Sequence, residues 1–184
     1  MGLKEIRIHG RGGQGAVVTA RVLATAFVFD GKWASGFPLF GVERRGAPVT
    51  AFVRFDDKPI REKTKIYSAD CLIVIDSHLF HSVDVFQGIR ERCVLVVNSP
   101  VSPTEQYHKN LRAIGSVDAT EIALQEIGRS ITNTCMLGAF AHTTGWVRLD
   151  SVLSALKEYF EGDILERNMR AVGRGFEEAS ISEF

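Results

Sequence analysis

The sequence predicts an α/β protein, a three-layer α/β/α sandwich built on a mixed, mostly parallel sheet. Three observations carry this. Strand-length apolar runs alternate with longer helical segments along the 184 residues. Two of the runs, CLIVID at 71–76 and CVLVVN at 93–98, are continuously apolar, which is the pattern of strands covered on both faces. The first run, EIRIHG, opens directly into GRGGQG and then a long apolar segment, a strand–turn–helix order that makes the N-terminus Rossmann-like.

Taken in order, residues 5–10 read as the first strand and 14–30 as the first helix. The nearly apolar stretch Ala16 to Phe29 is interrupted by Arg21 and is too short to span a bilayer, so it reads as a buried helix. A long connection holding Pro38 and Pro48 leads to VTAFVRF at 49–55. That run alternates openly, as an antiparallel edge or hairpin strand does. Beyond 71–76 come a short helix near 79–90, the strand at 93–98 and a weaker strand at 111–118. Helices follow at 119–129, 134–145, 149–161 and 164–180. In the last, Ile164, Leu165, Met169, Val172 and Phe176 recur at near-helical spacing, a docking face, while Gly173 and Gly175 weaken its end. No repeat, low-complexity tract or Gly/Ser linker divides the chain, so residues 1–184 are expected to form a single domain.

Composition narrows the function. Lys plus Arg equals Asp plus Glu at 22 each, so no global field favours a nucleic-acid or anionic-membrane partner. The charge is uneven, however. Residues 44–65 hold seven Lys or Arg against three Asp or Glu, and residues 150–184 hold four against eight, which suits a subunit with different faces for different neighbours, or simply a solvated surface. MGLKEIRIHG has no apolar core of signal-peptide length, and a cytoplasmic location is expected. Cys71, Cys93 and Cys135 are too dispersed for a disulfide framework or a local iron–sulfur or zinc loop, and read as buried thiols.

The candidate site is the turn Gly10, Arg11, Gly12, Gly13, Gln14, Gly15, which fits G-x-G-x-x-G. Glycines at 12 and 13 allow close approach and positive φ, the first N–H groups of a helix starting near Gln14 point at an anion, and Arg11 adds a charge. A tight structural junction is the alternative reading. A dinucleotide site would need a carboxylate about 20 residues further on. WASGFPLF stands there instead, and Glu43 comes later, between Val42 and Arg44, so NAD is set aside. Asp76, the last residue of CLIVID, and Ser77 and His78 after it stand at the edge where open sheets bind ligands, but without G-x-S-x-G they are not a hydrolase triad, and Asp76 or Ser77 reads as the cap of the following helix. Asn98 and Ser99 before Pro100 read as a turn at that edge. His78 and His81 are spaced i, i+3 without a third ligand, so no metal site is expected.

The segment 36–55, GFPLFGVERRGAPVTAFVRF, is dense in aromatics and charges. Phe37, Phe40, Glu43, Arg44 and Arg45 are its candidate interface or ligand residues, with packing inside the loop as the ordinary explanation for the two aromatics. GRGGQG followed about 25 residues later by FPLFGVERRGAPV, together with NTCMLGAF at 133–140, resembles the gamma subunits of the 2-oxoacid:ferredoxin oxidoreductases, nearest to the pyruvate (pyruvate synthase) branch, from about Lys4 to Phe176. The resemblance implies a gamma-type domain of a multi-subunit enzyme that oxidatively decarboxylates a 2-oxoacid to an acyl-CoA and passes electrons to ferredoxin. It implies alpha, beta and ferredoxin-like delta partners. It also implies thiamine diphosphate with Mg²⁺ and [4Fe–4S] clusters held by those partners, with CoA as substrate, while this chain alone holds no cofactor and is inactive. A phosphate of CoA at the glycine turn is the chemical extension of that picture. The alternatives left open are a stand-alone nucleotide- or phosphate-binding protein, and an NADP-dependent reductase using Arg44 or Arg45.

Overall fold

The computed structural model describes residues 2–39, 45–101 and 108–184. Among the described residues seven strands form one sheet in the order β2-β3-β1-β4-β5-β6-β7. These are β1 Lys4–Arg11, β2 Trp33–Pro38, β3 Pro48–Asp56, β4 Ala69–Val74, β5 Ile89–Asn98, β6 Leu111–Val117 and β7 Ser180–Glu183. β1, β4, β5 and β6 pair in parallel, whereas β3 runs antiparallel to both β1 and β2, and β7 runs antiparallel to β6. The sheet is therefore mixed, with a parallel centre, and 49–55 is a hairpin strand. The hairpin's other arm, β2, was expected to be part of a long loop. WASGFP carries little strand propensity, and its half-exposed pattern reflects an outermost strand held by the β3 ladder.

Five α-helices, α1 Ala16–Phe29, α2 Ala119–Ile127, α3 Cys135–Thr144, α4 Leu149–Leu156 and α5 Gly162–Glu177, close over one face of the sheet. Their apolar residues merge with Ile6, Ile8, Val53, Phe55, Ile73, Val94 and Val96 into one core. Phe27 stacks on Phe55 at 3.8 Å between ring centroids, tying α1 to β3. Gly138 of α3 and Gly175 of α5 let these two helices touch backbone to backbone: a Cβ on Gly138 would collide with Val172 O and one on Gly175 with Cys135 O. Gly175 thus serves packing and does not fray the helix.

The other face departs from the sandwich expectation. Among the described residues no α-helix covers it. Phe52, Leu72, Val74, Leu95, Val97 and Ile114 are buried beneath Phe37, Phe80 and Phe86, which come from β2 and from the segment after β4. The helix expected near 79–90 is only a 3₁₀ turn, Ser77–His81, because Gly88 and the turn at Asp84 interrupt the chain too soon for α-helical pairing. On this face the strand period of two also buries charge. Glu5, Arg7 and His9 alternate with Ile6 and Ile8, and β1 is covered on both sides. Glu5 accepts from Arg54 and Arg90, both at 2.7 Å, and Asp70 accepts from Arg90 at 2.7 Å and Lys4 at 3.0 Å, a closed ladder of ion pairs around a fully buried Arg54.

Candidate functional site

The glycine turn lies at the carboxyl end of β1, beside that of β4, where the chain order reverses across the sheet. It is tightly clamped. Gly12 N–H donates to Ala47 O at 2.9 Å, Gly46 N–H to Gly12 O at 3.1 Å, and Gln14 N–H to Arg11 O at 2.9 Å. Gln14 Oε1 accepts from Arg11 N–H at 2.7 Å, while Gln14 Nε2 reaches Asp76 Oδ2 at 3.1 Å. Arg11 Nε meets the same oxygen at 2.9 Å. The guanidinium assigned to an anion is therefore already paired with Asp76. Asp76 also caps the 3₁₀ turn, accepting from His78 N–H at 3.0 Å, the capping role expected from the sequence. Burial alone would raise its carboxyl pKa, but the hydrogen bonds from Gln14, Arg11 and His78 hold it below the ordinary value.

Positive φ falls at Gly13 (94°) and Gly15 (80°), not at Gly12. Gly15 is the N-cap of α1, which starts at Ala16, two residues later than expected, and no side chain caps it. Among the described residues the N–H groups of Gly13, Ala16, Val17 and Val18 have no acceptor, so this end carries the helix's partial positive charge unneutralised. Gly13, Gly15 and Val18 of this segment border a groove of about 540 Å³ that Arg129, Asn133 and Arg167 also line, together with apolar residues that include Phe160 and Ile164. Asp163, paired with Arg167 at 2.7 Å, also borders it. Asn133 is 4% exposed, and its Oδ1 is a buried side-chain oxygen without a partner among the described residues. The amide lies so close to Gly15 that a Cβ there would stand 2.7 Å from Nδ2.

A second hollow, of about 360 Å³, lies on the other side of Gln14, at the carboxyl ends of β4, β5 and β6. Asp76, Ser77, His78 and Asn98 meet there as the sequence placed them, with Asp118, Thr120 and Thr132. Its polar groups largely satisfy one another: Asn98 Nδ2 donates to Ile75 O at 3.1 Å and Thr120 Oγ1 at 3.0 Å, and Asp118 caps α2.

Of the loop candidates, Phe40, Glu43 and Arg44 lie outside the described residues. Arg45 is exposed and bridges to Gly12. Phe37 packs against Phe52 at 5.4 Å beneath the Arg54 guanidinium, so packing accounts for it. Arg129 and Arg167 were not legible as site residues, since each is an ordinary helix-flank arginine until the fold brings it to α1. Asn133 was visible only as the start of NTCMLGAF. The three cysteines are buried, as expected, and burial pushes Cys93 and Cys135 up to about 12 and Cys71 well above the ordinary thiol value. Such thiols are not thiolate ligands. Among the described residues no group of three or more His, Cys, Asp or Glu could hold a metal, and no helix is long and apolar enough to cross a membrane.

Residues 5–178 match the family model of pyruvate ferredoxin/flavodoxin oxidoreductase. The chain is 50% identical over 182 residues to the pyruvate/ketoisovalerate oxidoreductases common subunit gamma of Pyrococcus abyssi, covering 97% of this chain and 98% of that one. It is 48% identical over 178 residues to the pyruvate synthase subunit PorC of Methanothermobacter marburgensis, with the same coverage. Among solved structures, the pyruvate oxidoreductase subunit PORC of Thermotoga maritima superposes with a TM-score of 0.85 at 38% identity over the full length of both chains.

Proposed function

The chain belongs to the pyruvate ferredoxin/flavodoxin oxidoreductase family, and from that premise we propose what it contributes to the enzyme. It is a gamma-type subunit of a pyruvate/2-oxoacid:ferredoxin oxidoreductase. The stand-alone reading loses its support, because the matched relatives are named as subunits. In our reading the assembled enzyme decarboxylates a 2-oxoacid oxidatively to an acyl-CoA in the cytoplasm. Thiamine diphosphate with Mg²⁺ is held by alpha and beta subunits, [4Fe–4S] clusters by a ferredoxin-like delta subunit, and ferredoxin takes the electrons. This chain's own donors do not fit a cluster: three dispersed, buried thiols with raised pKa values cannot form a Cys₄ site. The Pyrococcus relative is described as common to pyruvate and ketoisovalerate enzymes, and a shared subunit does not choose between substrates. Assembly and the CoA side of the reaction are what remain for it.

The groove at the start of α1 carries this reading. A phosphate of CoA placed there would accept from the uncapped N–H groups, with Gly13 and Gly15 allowing close approach. Arg129 and Arg167 would offset its charge, and the partnerless Asn133 amide oxygen would accept a ligand N–H or O–H. Among the residues of the turn, Gly10, Arg11, Gly12 and Gln14 then shape and brace, and Gly13 and Gly15 face the ligand. The test is steady-state kinetics of the assembled enzyme carrying Arg129→Ala and Arg167→Ala together. The KM for CoA should rise about tenfold, the loss of about one charge-assisted hydrogen bond, with the KM for the 2-oxoacid little changed. An unchanged KM for CoA in a normally assembled enzyme would overturn the assignment.

A further inference from the structure

The helix-free face of the sheet holds a cavity that the reading above does not use. Its volume is about 420 Å³, in the range of small-ligand sites, and its floor is the β1–β3 ladder. There Arg7 stands opposite Phe52 and His9 opposite Thr50. Lys65, Tyr67, Asp84 and Gln87 supply the walls.

Arg7 is 8% exposed, yet among the described residues no carboxylate forms an ion pair with it. Its Nη2 donates to Val85 O at 2.8 Å and Gln87 O at 2.6 Å, and its Nε donates to His9 Nε2 at 3.0 Å. Carbonyls and an imidazole satisfy hydrogen bonds, and the Asp84 carboxylate nearby offsets the charge only in part, since burial still lowers the Arg7 pKa. Its Nη1 has no acceptor among the described residues. Because a guanidinium can only donate, His9 Nε2 must accept, so the ring is neutral and carries its proton on Nδ1. Burial, with the charge of Arg7 added, pushes the His9 imidazole down to about 3, in agreement with that tautomer. The Nδ1 hydrogen and the Thr50 hydroxyl have no partner among the described residues. Lys65, exposed and held over the Tyr67 ring at 4.7 Å, brings a second cation against the single carboxylate of Asp84, which accepts from Phe86 N–H.

We infer that this cavity binds a carboxylate group, with Arg7 and Lys65 supplying the charge and the His9 Nδ1 hydrogen and Thr50 hydroxyl supplying directed hydrogen bonds. The unused Nη1 of Arg7, an imidazole N–H and a hydroxyl form a set of donors that a carboxylate can accept from. A free small carboxylate and an Asp or Glu side chain of a neighbouring subunit share this chemistry.

The test uses the full chain, isotopically labelled, titrated with sodium acetate and observed by NMR at the His9 ring and Arg7 guanidinium nitrogens, with sodium chloride at matched ionic strength as reference. Acetate should give a saturable shift that chloride does not. Lys65→Ala, an exposed position that leaves the fold intact, should weaken acetate binding at least threefold. Arg7→Lys, which keeps the charge and loses the Nη1 and Nε donors, should weaken it further and release the His9 tautomer. A second arm repeats the acetate titration on the assembled enzyme: retained binding identifies a free carboxylate as occupant, and blocked binding with intact response in the isolated chain identifies a neighbour's acidic side chain. Shifts that stay linear and equal those from chloride, or acetate affinity unchanged in both variants, would overturn the inference.

Discussion

Replacing Gly15 by alanine probes the junction between the turn and α1 most sharply. At φ 80° a left-handed alanine costs about 1–2 kcal/mol. The added Cβ would stand 2.7 Å from Asn133 Nδ2 and 2.9 Å from Cγ, so the buried Asn133 must shift, an overpacking cost of about 1–3 kcal/mol. The two together come to about 3 kcal/mol. For a chain of this length each kcal/mol lowers the melting temperature by about 2–4 °C, giving a fall near 10 °C in thermal denaturation of the full chain. Gly13→Ala is the control: φ is 94° there, but nothing lies within 4 Å of the new Cβ, so only the conformational cost of about 1–2 kcal/mol applies. Adding Asn133→Ala to Gly15→Ala should return the steric share, and a double-mutant cycle reads it directly. If Gly15→Ala is no worse than Gly13→Ala, or the cycle is additive, the contact between turn and amide does not constrain the site.

Three other outcomes are expected. Glu5→Gln leaves the buried Arg54 without its carboxylate, and urea denaturation should show a loss of about 3–5 kcal/mol, a value near 0 arguing that the ladder is ornamental. The folded pKa of Asp76 is lowered, so its contribution is present above the ordinary carboxylate value and lost as pH falls through the folded one. The stability deficit of Asp76→Asn should therefore be largest at neutral pH and shrink below about pH 4, and a deficit constant with pH would contradict the bracing role. Arg44→Ala with Arg45→Ala should weaken association with the other subunits in sedimentation, while thermal stability of the isolated chain changes by less than about 1 kcal/mol, the exposed Arg45 charge adding little to folding.

What could be read from residues alone was whatever depends on local pattern. The continuous runs 71–76 and 93–98 are central parallel strands, and GRGGQG does join β1 to α1. Asp76 as a cap also follows from local chemistry. The hairpin arm β2 escaped because its strand character comes from the ladder with β3, and WASGFP alone has little preference for a strand. Arg7 and His9 were unremarkable in EIRIHG. Their meaning appears only when β1 proves to have neighbours on both sides, so that every second, charged residue must be buried. The same holds for Gly175, which looks like a helix breaker until α3 packs against it, and for Arg129 and Arg167, which no motif marks.

This chain is expected to act only as part of a larger enzyme. The most direct test is CoA-dependent pyruvate oxidation coupled to ferredoxin reduction, measured for the purified chain and for the complex it co-purifies with. The expected result is a folded, inactive chain, and activity in a stable complex with the thiamine- and cluster-bearing subunits that disappears when this subunit is omitted. A monomer that turns over by itself, or a complex fully active without it, would show that the chain is not an obligate part of that enzyme.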